Sequence, residues 1–451
     1  MNNQEPIRDA RTLGLPKMLV LGLQHMFAMF GATVLVPLLV NNVYGLPLSI
    51  QTTLFFAGIG TLFFHVCTRL KVPAFLGSSF AFLGGFEAVS KLDSGKYAAM
   101  EASEKLQYAC GGIVVAGLLY VVLAGVIKLV GVKKVMRFLP PVVTGPIIIC
   151  IGLNLAPSAV SNAATCWPLA LIALAVIIVF NIWGKGMFKI IPILLGVVVS
   201  YIAALIMNAC GVTAADGTPL LNFAAVADAG WLGLPPFQLA KFDLSAILVM
   251  APIAIAAMME HIGDMSAISA TVGENFLEDP GLHRTLIGDG LATTLSAMFG
   301  GPANTTYGEN TGVLVLSRVY DPNVIRLAAI YAVALGFIPK MAEVIGSMPS
   351  AIVGGVSFML YGMISAIGVR NIVENKVDFT NSRNLIIAAV ILVCGLGFSG
   401  GITFTVGGAT VTLTSLAIAA IAGILLNAIL PGNDYEFGVS QSGDQNRGIH
   451  P

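Results

Sequence analysis

The chain has 451 residues, of which 57% are apolar and only 10% are charged, whereas a soluble domain carries about 25% charged residues. This composition excludes an ordinary soluble protein and indicates a polytopic membrane protein, because each spanning helix uses about 20 mostly apolar residues. The 23 Lys and Arg residues balance the 23 Asp and Glu residues, so there is no basic excess to bind a nucleic acid.

Apolar segments bounded by charged or turn-forming residues follow a polar N-terminal stretch, residues 1–17, and precede a polar tail, residues 432–451. We count fourteen segments, near residues 18–41, 48–68, 74–90, 107–130, 135–156, 166–183, 187–209, 243–270, 284–299, 301–317, 322–345, 349–369, 383–400 and 407–430. They predict an all-α domain with fourteen transmembrane segments. An even number of crossings places both termini on one side of the membrane.

The Lys and Arg residues are distributed unevenly between the loops that these segments define. Of the 23, 18 fall on the side of the termini, and five fall on the other: Lys91, Lys96, Lys105, Lys241 and Lys340. Because loops rich in Lys and Arg stay in the cytoplasm, we expect both termini to be cytoplasmic.

Two motifs recur seven segments apart. Residues 139–145 and 348–354 share Pro and Gly at the same separation, and Gln24-His25 in the first segment is echoed by Glu260-His261 in the eighth. Because seven is odd, the second half would enter the membrane from the opposite side, which defines an inverted repeat. Chance similarity is the alternative for motifs this short.

The third and tenth segments contain interruptions, at residues 73–82 and 300–310, that are rich in Gly, Pro and small hydroxyl residues. Such stretches predict short extended backbone followed by half-helices, whose free N–H groups can bind a ligand with carbonyl oxygens. A pair of tight turns at the membrane surface is the alternative.

Four acidic residues fall within segments of the second half. Glu260 and Asp264 share one face of the eighth segment, Asp289 lies between two glycines of the ninth, and Glu309 lies in the tenth. A carboxylate at the bilayer centre costs about 3 kcal/mol, and no Lys or Arg lies inside these segments. We therefore expect some of these groups to bind protons. For Asp289, an equal alternative is that its side chain braces the neighbouring backbone.

His25 and His261 have side chains that can shuttle protons, but we expect both to be packing residues. The chain has no phosphate-binding loop, no HExxH motif or His/Cys cluster, and no nucleophile–base set. These absences argue against ATP hydrolysis, a metal site and an enzyme. The pattern predicts a carrier without a cofactor, with the proton as coupling ion.

Four ordered motifs resemble the signatures of the nucleobase-ascorbate transporter (nucleobase-cation symporter-2) family: Gln24–Ala32, Gly77–Phe82, Glu260–Gly263 and Asn304–Asn310. The resemblance extends from about residue 15 to 431 and is strongest to the bacterial uracil permeases. It implies two inverted repeats of seven segments, a homodimer in a bacterial-type inner membrane, and uracil as substrate. It also implies a core domain from residues 18–130 and 243–345, and a gate domain from residues 131–242 and 346–431.

Carried over residue by residue, the resemblance implies a substrate pocket formed by Ala32, Phe80, Glu260, Tyr307, Gly308 and Glu309, with Tyr361 facing it from the gate domain. The two glutamates would accept the ring N–H bonds, while the amides of Phe80 and Gly308 would donate to the uracil carbonyls. The Phe80 ring would stack on the base. The implied set for proton coupling is Glu260, Asp264, Asp289 and Glu309.

The chain departs from the uracil-permease pattern at Asp264, where the resemblance predicts His, and Asp264 and Asp289 are typical of purine carriers. By contrast, Glu309 before Asn310 is the uracil-type version of the tenth-segment motif. A purine or xanthine symporter is therefore the first alternative. An anion exchanger or channel of the same fold is the second, and the acidic cluster argues against it.

Overall fold

The computed structural model of the chain describes residues 6–93, 95–398, 400–406 and 409–432, and its described part is mostly helical. The helices of the first half are α1 (Leu15–Asn42), α2 (Ile50–Cys67), α3 (Leu83–Ser90), α4 (Ala102–Val130), α5 (Val132–Met136), α6 (Pro141–Asn154), α7 (Ala156–Ala164), α8 (Trp167–Trp183), α9 (Met187–Ile190), α10 (Pro192–Ala209) and α11 (Ala224–Asp228). Those of the second half are α12 (Leu244–Met250), α13 (Ile253–Val272), α14 (Leu282–Met298), α15 (Gly308–Ser317), α16 (Pro322–Gly336), α17 (Pro339–Gly346), α18 (Ser350–Glu374), α19 (Ser382–Gly397) and α20 (Ser415–Ile429).

Seven helical stretches in the described residues are long and apolar enough to cross a membrane: Leu15–Asn42, Ile50–Cys67, Ala102–Val130, Pro141–Ala164, Pro192–Ala209, Leu244–Val272 and Ser350–Glu374. Shorter apolar helices α8, α19 and α20 accompany them. At 1.5 Å per residue, about 20 residues cover the roughly 30 Å of the hydrocarbon layer. The chain is therefore a multi-pass integral membrane protein.

The structure corrects two of the predicted segments. Segment 322–345 bends by 85° between α16 and α17, whereas segment 243–270 corresponds to the single stretch Leu244–Val272. The predicted start of the last segment at 407 is wrong, because α20 begins at Ser415, after the antiparallel strands β3 (Ile402–Val406) and β4 (Ala409–Leu413). Thr alternates with apolar residues in both strands, a pattern that favours extended backbone over a helix.

Two further strands, β1 (Leu76–Ser78) and β2 (Asn304–Thr306), pair antiparallel in the interior, with Gly77 opposite Thr305. Each strand is tied to a preceding helix in the same way. The Thr61 hydroxyl of α2 accepts from the Leu76 amide over 2.9 Å, and the Thr293 hydroxyl of α14 accepts from the Asn304 amide over 3.1 Å. The first residue of each buried strand thus bonds to a helix, which satisfies backbone groups that water cannot reach.

The helices pack into two groups. The first helix group contains α1–α4 and α12–α16, and the second contains α6–α8, α10 and α18–α20. Within the first group, Gly117 of α4 and Gly290 of α14 touch through their backbones, since a Cβ on either would lie 2.6 Å from the carbonyl oxygen of the other. Small residues at such contacts allow close helix packing in membranes. The two groups meet along α13, α6, α1 and α18.

Candidate functional site

A small cavity lies where the two helix groups meet, with a volume of about 20 Å³. This volume holds about one water molecule. The cavity is lined by Phe80, Ile148, Glu260, Asp264, Thr305, Thr306, Tyr307, Gly308, Ile364 and Ile367. We call the lining residues of the first helix group the polar wall, and Ile148, Ile364 and Ile367 of the second group the apolar wall.

Helix α13 brings two carboxyl groups to the polar wall. Glu260 and Asp264 are one helical turn apart, and only 8% and 4% of their surfaces are exposed. The hydroxyl of Thr306 on β2 donates to Asp264 Oδ2 over 3.1 Å. The polar wall therefore concentrates acidic oxygens in a site nearly closed to solvent.

The paired strands β1 and β2 supply the rest of the polar wall. Phe80 follows β1, and Tyr307 and Gly308 follow β2, where α15 begins. The first N–H groups of a helix have no intrahelical acceptor, so the start of α15 at Gly308 offers hydrogen-bond donors at the cavity. The strand pair thereby places amide donors beside the carboxyl groups of α13.

The Tyr307 side chain is held by β1 and α1. Its hydroxyl donates to the Ser78 carbonyl over 2.9 Å and lies 3.4 Å from the hydroxyl of Thr33. Its ring packs directly on the backbone of Gly77, where a Cβ would collide with the ring. Tyr307 thus contributes its backbone and ring to the cavity, while its hydroxyl serves the strand pair.

The second helix group faces the cavity with aliphatic side chains. Ile148 comes from α6, and Ile364 and Ile367 come from α18. One turn before Ile364, Tyr361 packs edge-on against Phe80 with ring centroids 6.0 Å apart. This aromatic contact joins the two groups at one end of the cavity.

The structure brings together most of the predicted site residues. Phe80, Glu260, Asp264, Tyr307 and Gly308 line the cavity.

The other predicted site residues lie around this set. Tyr361 contacts Phe80, whereas Ala32 is fully buried in α1 and is not among the lining residues. Asp289 lies outside the lining, on α14, with no exposed surface. The backbone of Glu309 lies in the first turn of α15, and its side chain lies outside the described part of the structure.

Five lining residues were missed by the sequence reasoning. Thr305 and Thr306 belong to the motif at residues 304–310, and small hydroxyl residues in an interrupted segment are a signal from which they were predictable. Ile148, Ile364 and Ile367 are apolar residues in apolar helices, so nothing in the sequence distinguishes them from lipid-facing neighbours.

His25 packs inside the first helix group. The Asn310 side-chain amide of α15 donates to the His25 carbonyl over 3.2 Å, and its nitrogen lies 3.4 Å from the ring Nδ1. His25 is fully buried. It connects α1 to the first turn of α15 and does not line the cavity.

Two larger cavities share lining residues with the small one. One, of about 370 Å³, is lined by Lys189, Arg370, Gly308 and Ile367 among others, and shares the last two with the small cavity. The other, of about 420 Å³, contains Glu87 and Lys91 and shares Phe80. We call these two larger cavities the vestibules. Gly308 and Ile367 lie between the small cavity and one vestibule, and Phe80 lies between the small cavity and the other.

The fold is similar to that of solved anion transporters. It matches the transmembrane domain of the cyanobacterial bicarbonate transporter BicA with a TM-score of 0.63 and 16% identity, over 92% of this chain and 99% of that one. It matches the murine anion transporter Slc26a9 with a TM-score of 0.63 and 11% identity, over 95% of this chain and 72% of that one. Likenesses at this identity establish a shared fold alone.

Sequence relatives are much more similar. The chain is 42% identical to the uracil permease of Bacillus caldolyticus, over 94% of either chain. It is 41% identical to the uracil permease of Bacillus subtilis, over 91% of either chain. It is 37% identical to the uracil permease of Escherichia coli K12, over 91% of this chain and 90% of that one. These relatives are transporters, so the chain is not an enzyme.

A family model described as the permease family matches residues 16–404. This range contains all four sequence motifs and every residue that lines the small cavity. The chain therefore belongs to this permease family, the nucleobase-cation symporter family that its motifs resemble.

Proposed function

We propose that the chain is a proton-coupled importer of uracil that works by alternating access of a core domain against a gate domain. The observation that carries the proposal is the polar wall. It places Glu260 and Asp264 beside the amide donors of two unwound segments, in a chain about 40% identical to uracil permeases. A planar, neutral base with ring N–H donors and carbonyl acceptors complements such a wall.

The substrate contacts follow from this complementarity. Glu260 accepts a ring N–H bond, the amides of Phe80 and Gly308 donate to carbonyls, and the Phe80 ring packs on the base. Glu309 accepts a second N–H bond, and Tyr307 shapes the pocket. Ala32 and Tyr361 complete it from α1 and α18.

Proton coupling follows from the charge of the polar wall. No Lys or Arg lines the small cavity among the described residues, and two buried carboxylates one turn apart repel each other strongly in a low dielectric. A proton on Glu260, with Asp264 as its partner, removes this repulsion and makes the site ready for a neutral base. The gradient that supplies the proton then drives accumulation, with Asp289 and Glu309 as the other acidic members.

Alternating access follows from the contracted cavity. A uracil ring needs far more than the volume of about one water molecule that the cavity holds here, so the walls must separate to admit it. We assign the first helix group to the core domain and the second to the gate domain. Movement between them opens the cavity to one vestibule at a time.

The topology we propose has fourteen segments in two inverted repeats, with both termini in the cytoplasm of a bacterial-type inner membrane. The matching hydrogen bonds of Thr61 with β1 and of Thr293 with β2 support the repeat, since they relate segments 2 and 3 to segments 9 and 10. The vestibule with Lys189 and Arg370 is then cytoplasmic. We expect the protein to be a homodimer.

A purine or xanthine symporter is the second candidate. The observation that favours it is Asp264, which lies on the cavity where the uracil-permease pattern has His. An anion exchanger or channel of the same fold, the remaining alternative, is opposed by the acidic polar wall.

Uptake of radiolabelled uracil into proteoliposomes tests the proposal. With an acidic exterior we expect accumulation, and collapse of the gradient by a protonophore should return uptake to equilibration. Uptake at the same rate with and without the pH gradient would contradict proton coupling. Stronger competition by xanthine or hypoxanthine than by unlabelled uracil would show that the substrate is a purine and not uracil.

A further inference from the structure

Behind the polar wall lies a buried pair, His261 on α13 and Asp289 on α14. Both side chains have no exposed surface, and His261 Nδ1 lies 3.3 Å from Asp289 Oδ2. Neither carboxyl oxygen of Asp289 has a hydrogen-bond partner within the described residues. A buried acidic group in this position needs compensation, since an uncompensated charge there costs several kcal/mol.

The hydrogen bond of the other ring nitrogen, Nε2, shows which nitrogen carries the hydrogen in neutral His261. The Thr285 hydroxyl donates its hydrogen to the Leu282 carbonyl over 3.0 Å. The same oxygen lies 3.0 Å from His261 Nε2, so it accepts the Nε2 hydrogen. A neutral His261 therefore has its hydrogen on Nε2, and its bare Nδ1 lies 3.3 Å from Asp289 Oδ2.

We infer that His261 and Asp289 together hold one proton behind the substrate cavity, and that the Thr306 hydroxyl connects this proton to Asp264. Without the proton, a bare nitrogen faces a carboxylate oxygen and the two repel. With it, on either atom, the contact becomes attractive and the pair is electrically neutral. The inference rests on the proposed function and adds His261 to its coupling machinery.

Thr306 is placed to sense the pair. Its hydroxyl oxygen lies 3.1 Å from Asp264 Oδ2 and 3.4 Å from His261 Nδ1, and it has a single hydrogen to donate. When the pair holds its proton, the hydroxyl donates to Asp264. When the proton leaves, the bare Nδ1 competes for that hydrogen, and Asp264 loses its donor.

The same hydroxyl offers a route for the proton between cavity and pair. A protonated Asp264 passes its proton to the Thr306 oxygen as the hydrogen of Thr306 moves to His261 Nδ1. One O–H bond breaks on Asp264, one forms and one breaks on Thr306, and one N–H bond forms on His261. No other reactant is needed.

Other titratable groups near the pair also influence how its proton binding depends on pH. Asp264 and Glu260 lie on α13 itself, and Tyr120 reaches it from α4. Arg284, five residues before Asp289 on α14, donates to the Cys67 carbonyl. Phe64 of α2 packs its ring edge-on against His261.

Calorimetry of uracil binding, in buffers of different ionisation enthalpy between about pH 6 and about pH 8, counts the protons taken up. Each linked proton changes the dissociation constant about tenfold per pH unit. Asp289→Asn keeps a permanent N–H donor toward Nδ1, and Thr306→Val removes the hydroxyl. In both variants we expect the proton count to fall by about one. Thr52→Val, a buried threonine of α2 outside the pair, is the matched control.

Variants that keep the proton count of the control would overturn the inference. Nitrogen-15 spectra of histidine-labelled wild-type protein, with His261 assigned by His261→Asn, test it without substrate. A shared Nδ1 proton that appears as the pH is lowered through the range of the calorimetry is expected, and an Nδ1 that stays bare at every pH would overturn the inference. If the wild type does not bind uracil, the proposed substrate fails, and the spectra alone decide the proton pair.

Discussion

The two walls of the cavity differ in chemistry although they face the same small space. The polar wall contains the carboxyl groups, hydroxyls and helix-start amides, and the apolar wall contains three isoleucines. Polar groups buried in a low dielectric interact strongly and are costly to separate, whereas aliphatic contacts are weak individually and do not depend on direction. In the proposed mechanism, recognition is therefore concentrated on one helix group, and the other group moves across it.

The contacts within each group agree with this division. The polar wall is fixed by the β1–β2 pairing and by hydrogen bonds to Thr61 and Thr293. The side chains of Ile148, Ile364 and Ile367 have no polar atoms, so they form no hydrogen bond with the polar wall. In the proposed mechanism, the polar wall would keep its geometry while the apolar wall moves.

The largest effect is expected from Glu260→Gln, which tests whether recognition depends on the polar wall. The amide cannot carry the coupled proton, and it presents a donor where the base also has one. Uracil uptake in proteoliposomes should fall by more than about 100-fold, or about 2.7 kcal/mol. Glu343→Gln, at an exposed position of α17, should transport normally. Wild-type uptake by Glu260→Gln would remove Glu260 from the site.

Gly308→Ala tests how closely the two walls approach. A Cβ at Gly308 would lie 2.9 Å from Ile367 Cδ1 and 3.5 Å from Asp264 Oδ1, so it would fill space that the substrate needs. We expect uracil affinity to fall about tenfold, or about 1.4 kcal/mol. Gly312→Ala on the same helix meets no atom within 4 Å and should leave binding unchanged. Equal behaviour of the two variants would contradict this role of Gly308.

Ile364→Thr, compared with Ile364→Val, tests whether the apolar wall must be free of polar groups. The two new side chains are similar in shape, but threonine brings a hydroxyl that loses water when the walls close, at about 1 kcal/mol or more. We expect the maximal uptake rate of the Thr variant to be about fivefold below that of the Val variant. Equal rates would show that the wall tolerates polarity, and the proposed ease of movement would lose its support.

The smallest effect on transport is expected from Tyr307→Phe. The lost hydroxyl donates to the Ser78 carbonyl, so the free energy of unfolding should fall by about 1 kcal/mol. The Michaelis constant for uracil should stay within about twofold of wild type, because the hydroxyl serves the strand pair. An increase above about tenfold would mean that the hydroxyl binds substrate directly.

Much of the polar wall was predictable because its residues are conspicuous in an apolar chain. A carboxylate such as Glu260 in a spanning segment is costly, and the Gly-rich interruptions at residues 73–82 and 300–310 cannot form a continuous helix. The position of Asp289 was not predictable in the same way. Its partner His261 lies one residue from Glu260 in sequence, but only the packing of α13 on α14 brings the two together.

The apolar wall and the hairpin β3–β4 show where sequence reasoning fails. Isoleucine faces lipid, core or cavity with equal ease, so hydropathy does not distinguish Ile364 from its neighbours. Strand β4 falls within the segment predicted near residues 407–430, because apolarity alone does not distinguish an extended backbone from a spanning helix. Its alternating Thr residues were the signal that pointed to a strand.

The small volume of the cavity also limits leakage of ions across the membrane. With room for about one water molecule between two vestibules, this conformation does not hold a continuous file of water across the membrane. Leakage of ions requires such a file, because a charge without its hydration shell meets a steep barrier in the hydrocarbon layer. In this contracted conformation the small cavity therefore does not connect the two vestibules by water.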